Sequence, residues 1–272
     1  APNIFVADRA QTDLMTVIMA QVPAAIVASI VAVVALTIIA AMRKEGPDEA
    51  RRLAYHAQLE KEEGGKDFKV NPLYALVPLV PLVLLVLGSK QLAVLPLTDV
   101  PTAMIVGTVL ALIVTRQNPQ EITKKFFDGM GEAYGGVIGL IVSAAVFTAG
   151  MSAMGLTDAL IEAMKGSESV AKMAGAFGPF IIAVISGSGD AAALAFNGAI
   201  TPQAASFGMS IIDLGSLAQM AGSIGRSMSP VAGAALVCAG LAKVSPMELS
   251  KRNALPMLLA TITFMIVLFL GK

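Results

Sequence analysis

Two ionisable residues stand inside long apolar stretches of this sequence, each among residue types that can bind a ligand. Asp190 closes the run Ser186-Gly187-Ser188-Gly189-Asp190, and Arg226 lies within Gly222-Ser223-Ile224-Gly225-Arg226-Ser227-Met228-Ser229-Pro230. A charge at membrane depth costs at least about 2.5–3.5 kcal/mol unless it is paired or hydrated, so each marks a candidate functional site. A guanidinium binds a carboxylate bidentately, which makes Arg226 a candidate clamp for an organic acid. Asp190 could hold Na+ or a proton, or could hold Arg226 until a ligand arrives. A purely structural Arg226–Asp190 pair is the competing reading. The glycines free backbone N–H and C=O groups, and the serines add hydroxyls unless they bond back to their own helix. The candidate ligand-binding residues are therefore Ser186, Gly187, Ser188, Gly189, Asp190, Gly225, Arg226, Ser227, Ser229 and Pro230.

What positions these residues is read from composition and run length. Hydrophobic residues make up 56% of the 272 and charged ones 14%, with a mean hydropathy of +0.77. A soluble domain is about a quarter charged, so the chain is read as an all-α, multi-pass membrane protein. A net charge of zero gives nucleic acid no footing. The single cysteine, Cys238, cannot form an intrachain disulfide. The one histidine, His56, falls in a polar stretch, and no nucleophile–base or metal-ligand spacing is present, which argues against an enzyme.

A bilayer core needs about 20 apolar residues of helix. Pro23 to Met42 supplies them without a charge, and Leu73 to Gly88 is a shorter run kinked by Pro78 and Pro81. Val100 to Thr115, Tyr134 to Met154 and Ala254 to Leu270 complete the set of spans. Residues 1–42 read as the end of a first repeat. Residues 43–71 carry Arg43, Lys44, Arg51, Arg52, Lys61, Lys66 and Lys69 and read as a cytoplasmic linker. Residues 72–117 form two further spans. Residues 118–133 open on the capping signal Asn118-Pro119-Gln120-Glu121 and repeat Ile122, Phe126, Met130 and Tyr134, as an interfacial amphipathic helix does. Residues 134–272 hold the remainder.

Within that remainder, two segments cannot be simple spans. After the Ser/Gly tip only a short apolar stretch precedes Thr201-Pro202-Gln203, and ten helical residues cover about 15 Å. Residues 169–205 are accordingly expected to form a re-entrant hairpin with a polar tip. Residues 211–243 would measure about 50 Å as one helix. Their central Gly and Pro residues predict a broken helix, the arrangement in which transporters expose half-helix ends to substrate and ions. Residues 247–270 form the last span.

The start of the chain echoes its end. Ala1-Pro2, the polar turn Gln11-Thr12-Asp13 and Val22-Pro23 parallel Ser229-Pro230, Ser245-Pro246-Met247-Glu248 and Leu255-Pro256. The two long runs enter the membrane from opposite sides, so an inverted repeat is expected, with Ala1-Pro2-Asn3 the unwound segment of the first copy. Without an initiator Met or a signal peptide, the chain reads as starting mid-protein.

At Gly187-Ser188-Gly189-Asp190, at Gly225-Arg226-Ser227-Met228-Ser229-Pro230-Val231-Ala232-Gly233, and from Ala239-Gly240 through Lys251-Arg252 to Leu255-Pro256, the sequence resembles the DcuC family of C4-dicarboxylate transporters, part of the ion-transporter superfamily. The resemblance covers essentially the whole chain and about the C-terminal three-fifths of a family member. It implies a scaffold and a transport domain built from inverted repeats, each with a hairpin and a broken helix. It also implies a homodimer in the bacterial inner membrane that exchanges or exports succinate- and fumarate-like dianions during anaerobic growth. By the resemblance, Ala1 to Asn3 would belong to the other half of a site whose first half is lined by Ser186 to Asp190 and Gly225 to Pro230. No cofactor is implied beyond coupling Na+ or H+, with a cation site near Asp190. The family pattern leads one to expect Asn where this chain has Asp190, and a second negative charge beside a dianion needs a proton or a cation. A Na+/H+-type antiporter of the same superfamily and an inactive fragment are the alternatives.

Overall fold

The computed structural model describes residues 2–43, 53, 74, 76–88, 94, 99–115, 118–164, 167–242 and 244–270. Most of the linker expected at 43–71, with His56, lies outside the described residues. The regular elements of the described residues are all helical, and the chain divides into two compact units, 1–44 with 134–272, and 45–133.

In the first unit, α1 (Pro2–Arg9) is followed by a tight turn and α2 (Leu14–Met42). Asp13 caps α2 by accepting from the Thr16 N–H at 3.2 Å. Its buried residues, Val17, Gln21, Ala24 and Ala28, recur at helical spacing and form one inward stripe. The opposite face exposes Ile30 at 57% and Val33 at 64%, an apolar surface suited to lipid rather than water. Pro2 and Asn3 are already helical, which corrects the expectation of an unwound start. Proline suits a first helical position because its missing N–H would be unpaired there anyway.

In the second unit, a 3-10 turn (Val77–Leu79) leads into α3 (Val80–Leu87), and α4 (Val100–Thr115) and α5 (Pro119–Ala133) follow. Gly107 of α4 lies against the ring of Pro81, where a Cβ would overlap it. Asn118 accepts from the Gln120 N–H at 3.0 Å at the start of α5, whose Phe126 and Met130 are exposed.

The first unit resumes with a π-helical turn (Tyr134–Ile138) and α6 (Gly139–Ala153). At Gly155, with φ of +70°, the chain bends by 80° into α7 (Leu156–Met164). The hairpin consists of α8 (Glu168–Ser186) and α9 (Gly189–Ala199). Its return arm does not stop at Pro202 but continues as a 3-10 helix (Thr201–Phe207). Ile200, Ala204 and Phe207 then pack with Ala171 near the start of α8, so the hairpin begins and ends at one level. The broken helix is α10 (Ile211–Arg226) and α11 (Gly233–Ala242), and α12 (Pro246–Leu268) is the last helix. Among the described residues, α2, α8 and α12 are long and apolar enough to cross a membrane, and α6 with α7 would form a bent fourth.

α10 lies at the centre, against α8, α9, α12, α1 and α2. Its glycines permit this crowding: a Cβ on Gly215 would meet Val6 at 2.7 Å, and one on Gly175 of α8 would meet Leu214 at 2.8 Å. α1 with α2 and α11 with α12 share one plan, a short helix, a turn and a long helix carrying an internal proline, Pro23 or Pro256. The two long helices pack on each other through Ala24, Ala28, Ala260, Phe264 and Leu268.

One buried polar contact pins the return arm to α10. Asn197 Nδ2 donates to the Gly215 carbonyl at 3.3 Å, and Asn197 Oδ1 accepts from Thr201 Oγ1 at 2.7 Å. Asn197→Ala strips both partners in a fully buried place and is expected to cost about 1–3 kcal/mol. Thermal unfolding in detergent measures it; an unchanged midpoint would leave the contact without energetic weight.

Candidate functional site

The hairpin tip is made by local backbone chemistry. α8 ends at Gly187, whose φ of +75° is open to glycine, and Ser188 caps α9 by accepting from the Ala191 N–H at 3.2 Å. Ser186 Oγ accepts from the Ser188 N–H at 3.2 Å. Both tip hydroxyls thus serve as acceptors to backbone, and their O–H bonds remain to donate. Asp190 is half-buried in the first turn of α9, where the helix dipole favours a negative charge.

The helix break is equally specified. Arg226 is the exposed last residue of α10, a position that favours a cation, and Pro230 removes a donor the helix would need to continue. Ser229 is fully buried and its Oγ accepts from the Val231 N–H at 3.3 Å. Asn253 of α12 donates to the Ser227 carbonyl at 2.9 Å and so holds the break in place.

Tip and break touch through glycines. A Cβ on Gly189 would stand 2.6 Å from the Gly222 carbonyl oxygen, and one on Gly222 would stand 2.6 Å from the Gly189 carbonyl oxygen. Gly187 faces the backbone of Val231 and Ala232 at 3.1 Å, and Gly225 abuts the Phe180 carbonyl. The N-terminus of α9 and that of α11 therefore meet, each carrying about half a positive charge. Beside the tip lies a cavity of about 220 Å3 lined by Ser143, Phe147, Ile182, Ser186, Ala191 and Ala195. A cavity of about 370 Å3 lies further off, among Phe5, Arg9, Ile141, Thr148, Leu194 and Gly198, and it does not reach the tip.

The hairpin tip and the segment around the break are thus in contact, Gly187 against Val231 and Ala232 and Gly189 against Gly222. Asp190 and Arg226 are not joined by an ion pair or hydrogen bond among the described residues, so the structural pair is not formed. Asn3 stands apart in α1, where its Oδ1 accepts from Gln21 Nε2 at 3.1 Å. Reading the sequence missed Asn253, Gly222 and Phe180 as supports. Gly222 sits in the glycine-rich segment and could have been found by its spacing from Gly225; an asparagine within a helix and a phenylalanine carbonyl carry no such signal.

The sequence model of the family DcuC, described as C4-dicarboxylate anaerobic carrier, matches residues 3–272. The chain belongs to the DcuC family. It is a multi-pass membrane protein of a carrier family and not an enzyme. A putative uncharacterized transporter of Haemophilus influenzae is 44% identical over 245 residues, covering 88% of this chain and 88% of its own. A probable anaerobic C4-dicarboxylate transporter DcuC of Vibrio cholerae is 30% identical over 210 residues, 74% of this chain and 46% of its own length. The anaerobic C4-dicarboxylate transporter DcuC of Escherichia coli K12 is 31% identical over 199 residues, 70% of this chain and 42% of its own. The match thus spans less than half the length of these dicarboxylate transporters. No solved structure matches the chain.

Proposed function

We propose that this DcuC-family chain carries a binding site of a secondary transporter for C4-dicarboxylates of the succinate and fumarate class, working by exchange or ion coupling in the bacterial inner membrane as a homodimer. The observation that carries the reading is the junction of tip and break. The N-termini of α9 and α11 and the free hydroxyl protons of Ser186 and Ser188 favour an anion at the junction, and Arg226, one turn beyond Gly222 on α10, is the cation nearest to it in sequence. Family membership and the dicarboxylate transporters among the relatives give the anion its class. One carboxylate would meet the tip hydroxyls and the other Arg226, while the adjoining cavity houses the carbon chain. Reconstituted protein should take up labelled succinate in exchange for internal unlabelled succinate. Uptake no greater than in protein-free liposomes rejects the reading, and so would a stably inserted chain that binds no succinate, the outcome expected of an inactive fragment.

Asp190 sets the condition under which a dianion binds. A carboxylate at the end of the tip repels the substrate unless a cation accompanies it. Asp190→Asn removes that repulsion, so succinate uptake should become less dependent on Na+. The same unpaired carboxylate supports a second reading, a cation/proton antiporter. Na+-driven pH change in the absence of any organic anion would select it.

A further inference from the structure

A second polar place lies where α1, α2 and α10 meet. Gln21 is 5% exposed and Ser216 0%. Gln21 Oε1, Ser216 Oγ and Gln219 Oε1 are buried and have no hydrogen-bond partner among the described residues. Asn3 Oδ1 faces the same group, since it accepts from Gln21 Nε2.

Helical register puts these side chains on neighbouring turns of the three helices. Val6, Val17 and Ile212 pack together on one side. Ala24, Ala28, Leu217, Met220 and Ile224 pack together on the other. Gln21 lies between Val17 and Ala24 on the buried stripe of α2, a turn from each. Ser216 follows Ile212 by one turn on α10, and Gln219 follows Ser216 by another, on the same face. Asn3 precedes Val6 by one turn on α1. The result is a polar strip on the α10 face that Ile212 turns toward α1 and α2, with Leu217 and Met220 at the same height beside it. A further turn along α10 is Gly222, which touches the hairpin tip.

The chemistry of the strip is lopsided. Three of its oxygens, Gln21 Oε1, Ser216 Oγ and Gln219 Oε1, accept no hydrogen bond among the described residues although the same side chains carry N–H and O–H groups, and the one observed donation runs from Gln21 to Asn3. Buried acceptors without donors are costly in a bundle within lipid, and a cation relieves several at once. Neutral oxygens can replace the hydration shell of a monovalent ion. They lack the carboxylates that divalent ions of the hard class prefer.

We propose that Asn3, Gln21, Ser216 and Gln219 form a binding site for a monovalent cation, one helical turn from the substrate junction. Its use as a coupling site rests on the carrier reading, whereas the binding itself does not. The test is thermal unfolding of the purified chain in detergent, titrated with NaCl against choline chloride at constant ionic strength. A saturable, Na+-specific rise of the midpoint is expected. Gln21→Leu, Gln219→Leu and Ser216→Ala should each weaken apparent Na+ affinity about tenfold or more. Gly150→Ala, in open space on α6, should not. Ser216→Ala removes a single oxygen and keeps the test decisive if a glutamine variant does not fold. Equal midpoints in Na+ and choline would overturn the proposal and leave the strip to buried water. A Na+ effect that survives all three variants would also overturn it, by placing the ion elsewhere. Failed succinate exchange with intact Na+ stabilisation removes the carrier reading alone; intact exchange without Na+ stabilisation removes this site alone.

Discussion

Arg226→Ala is expected to lower succinate exchange by reconstituted protein by about a hundredfold while leaving the fold intact. Truncating one partner of a desolvated charge pair costs about 2–5 kcal/mol of binding, and 1.4 kcal/mol is a factor of ten. The folded chain loses far less. Arg226 is exposed at the end of α10 and has no ion pair among the described residues, so only its interaction with the helix dipole is lost, about 0.3–1 kcal/mol. Arg226→Lys keeps the charge but not the two-pronged geometry, and should fall between the alanine variant and the unmodified protein. Exchange at the unmodified rate in the alanine variant would end the clamp role.

The largest stability effect is expected at the glycines that seat the hairpin on the helix break. A side chain at Gly222 would collide with the Gly189 carbonyl, and one at Gly225 with the Phe180 carbonyl. In each case the obstacle is backbone, which cannot rotate away as a side chain can. Overpacking of this kind costs about 1–3 kcal/mol. Gly222→Val and Gly225→Val are placed at the upper end, since relief requires α8 or α9 to move off α10. Both variants should unfold at lower temperature in detergent and lose exchange with it, because the α9 and α11 N-termini would no longer meet. Gly233→Ala serves as the comparison, with nothing within 4 Å of its added methyl group. If Gly222→Val and Gly233→Ala unfold alike, the tip does not depend on close contact with the break.

The two predictions differ in where their information lies. Arg226 could be singled out by reading, because a charge in an apolar stretch is conspicuous whatever surrounds it. The hairpin and the break were legible for a related reason: Gly, Ser and Pro terminate helices by local backbone chemistry, and Ser188, Gly187 and Pro230 act within a few residues of themselves. The hairpin expected over 169–205 has a return arm that runs on past Pro202 as a 3-10 helix to Phe207.

By itself the sequence determined that the chain is helical, lies in a membrane, breaks at two polar segments and carries Asp190 and Arg226 there. Those features follow from composition and from interactions spanning a few residues. Tertiary structure alone decided that the glycines of tip and break interlock and that Asn253 secures the break. It also decided that Asp190 and Arg226 remain unjoined, and that Asn3 accepts a hydrogen bond from Gln21. Each of these depends on the register of helices distant in sequence. A helix presents every face to some neighbour, and only packing selects which neighbour that is.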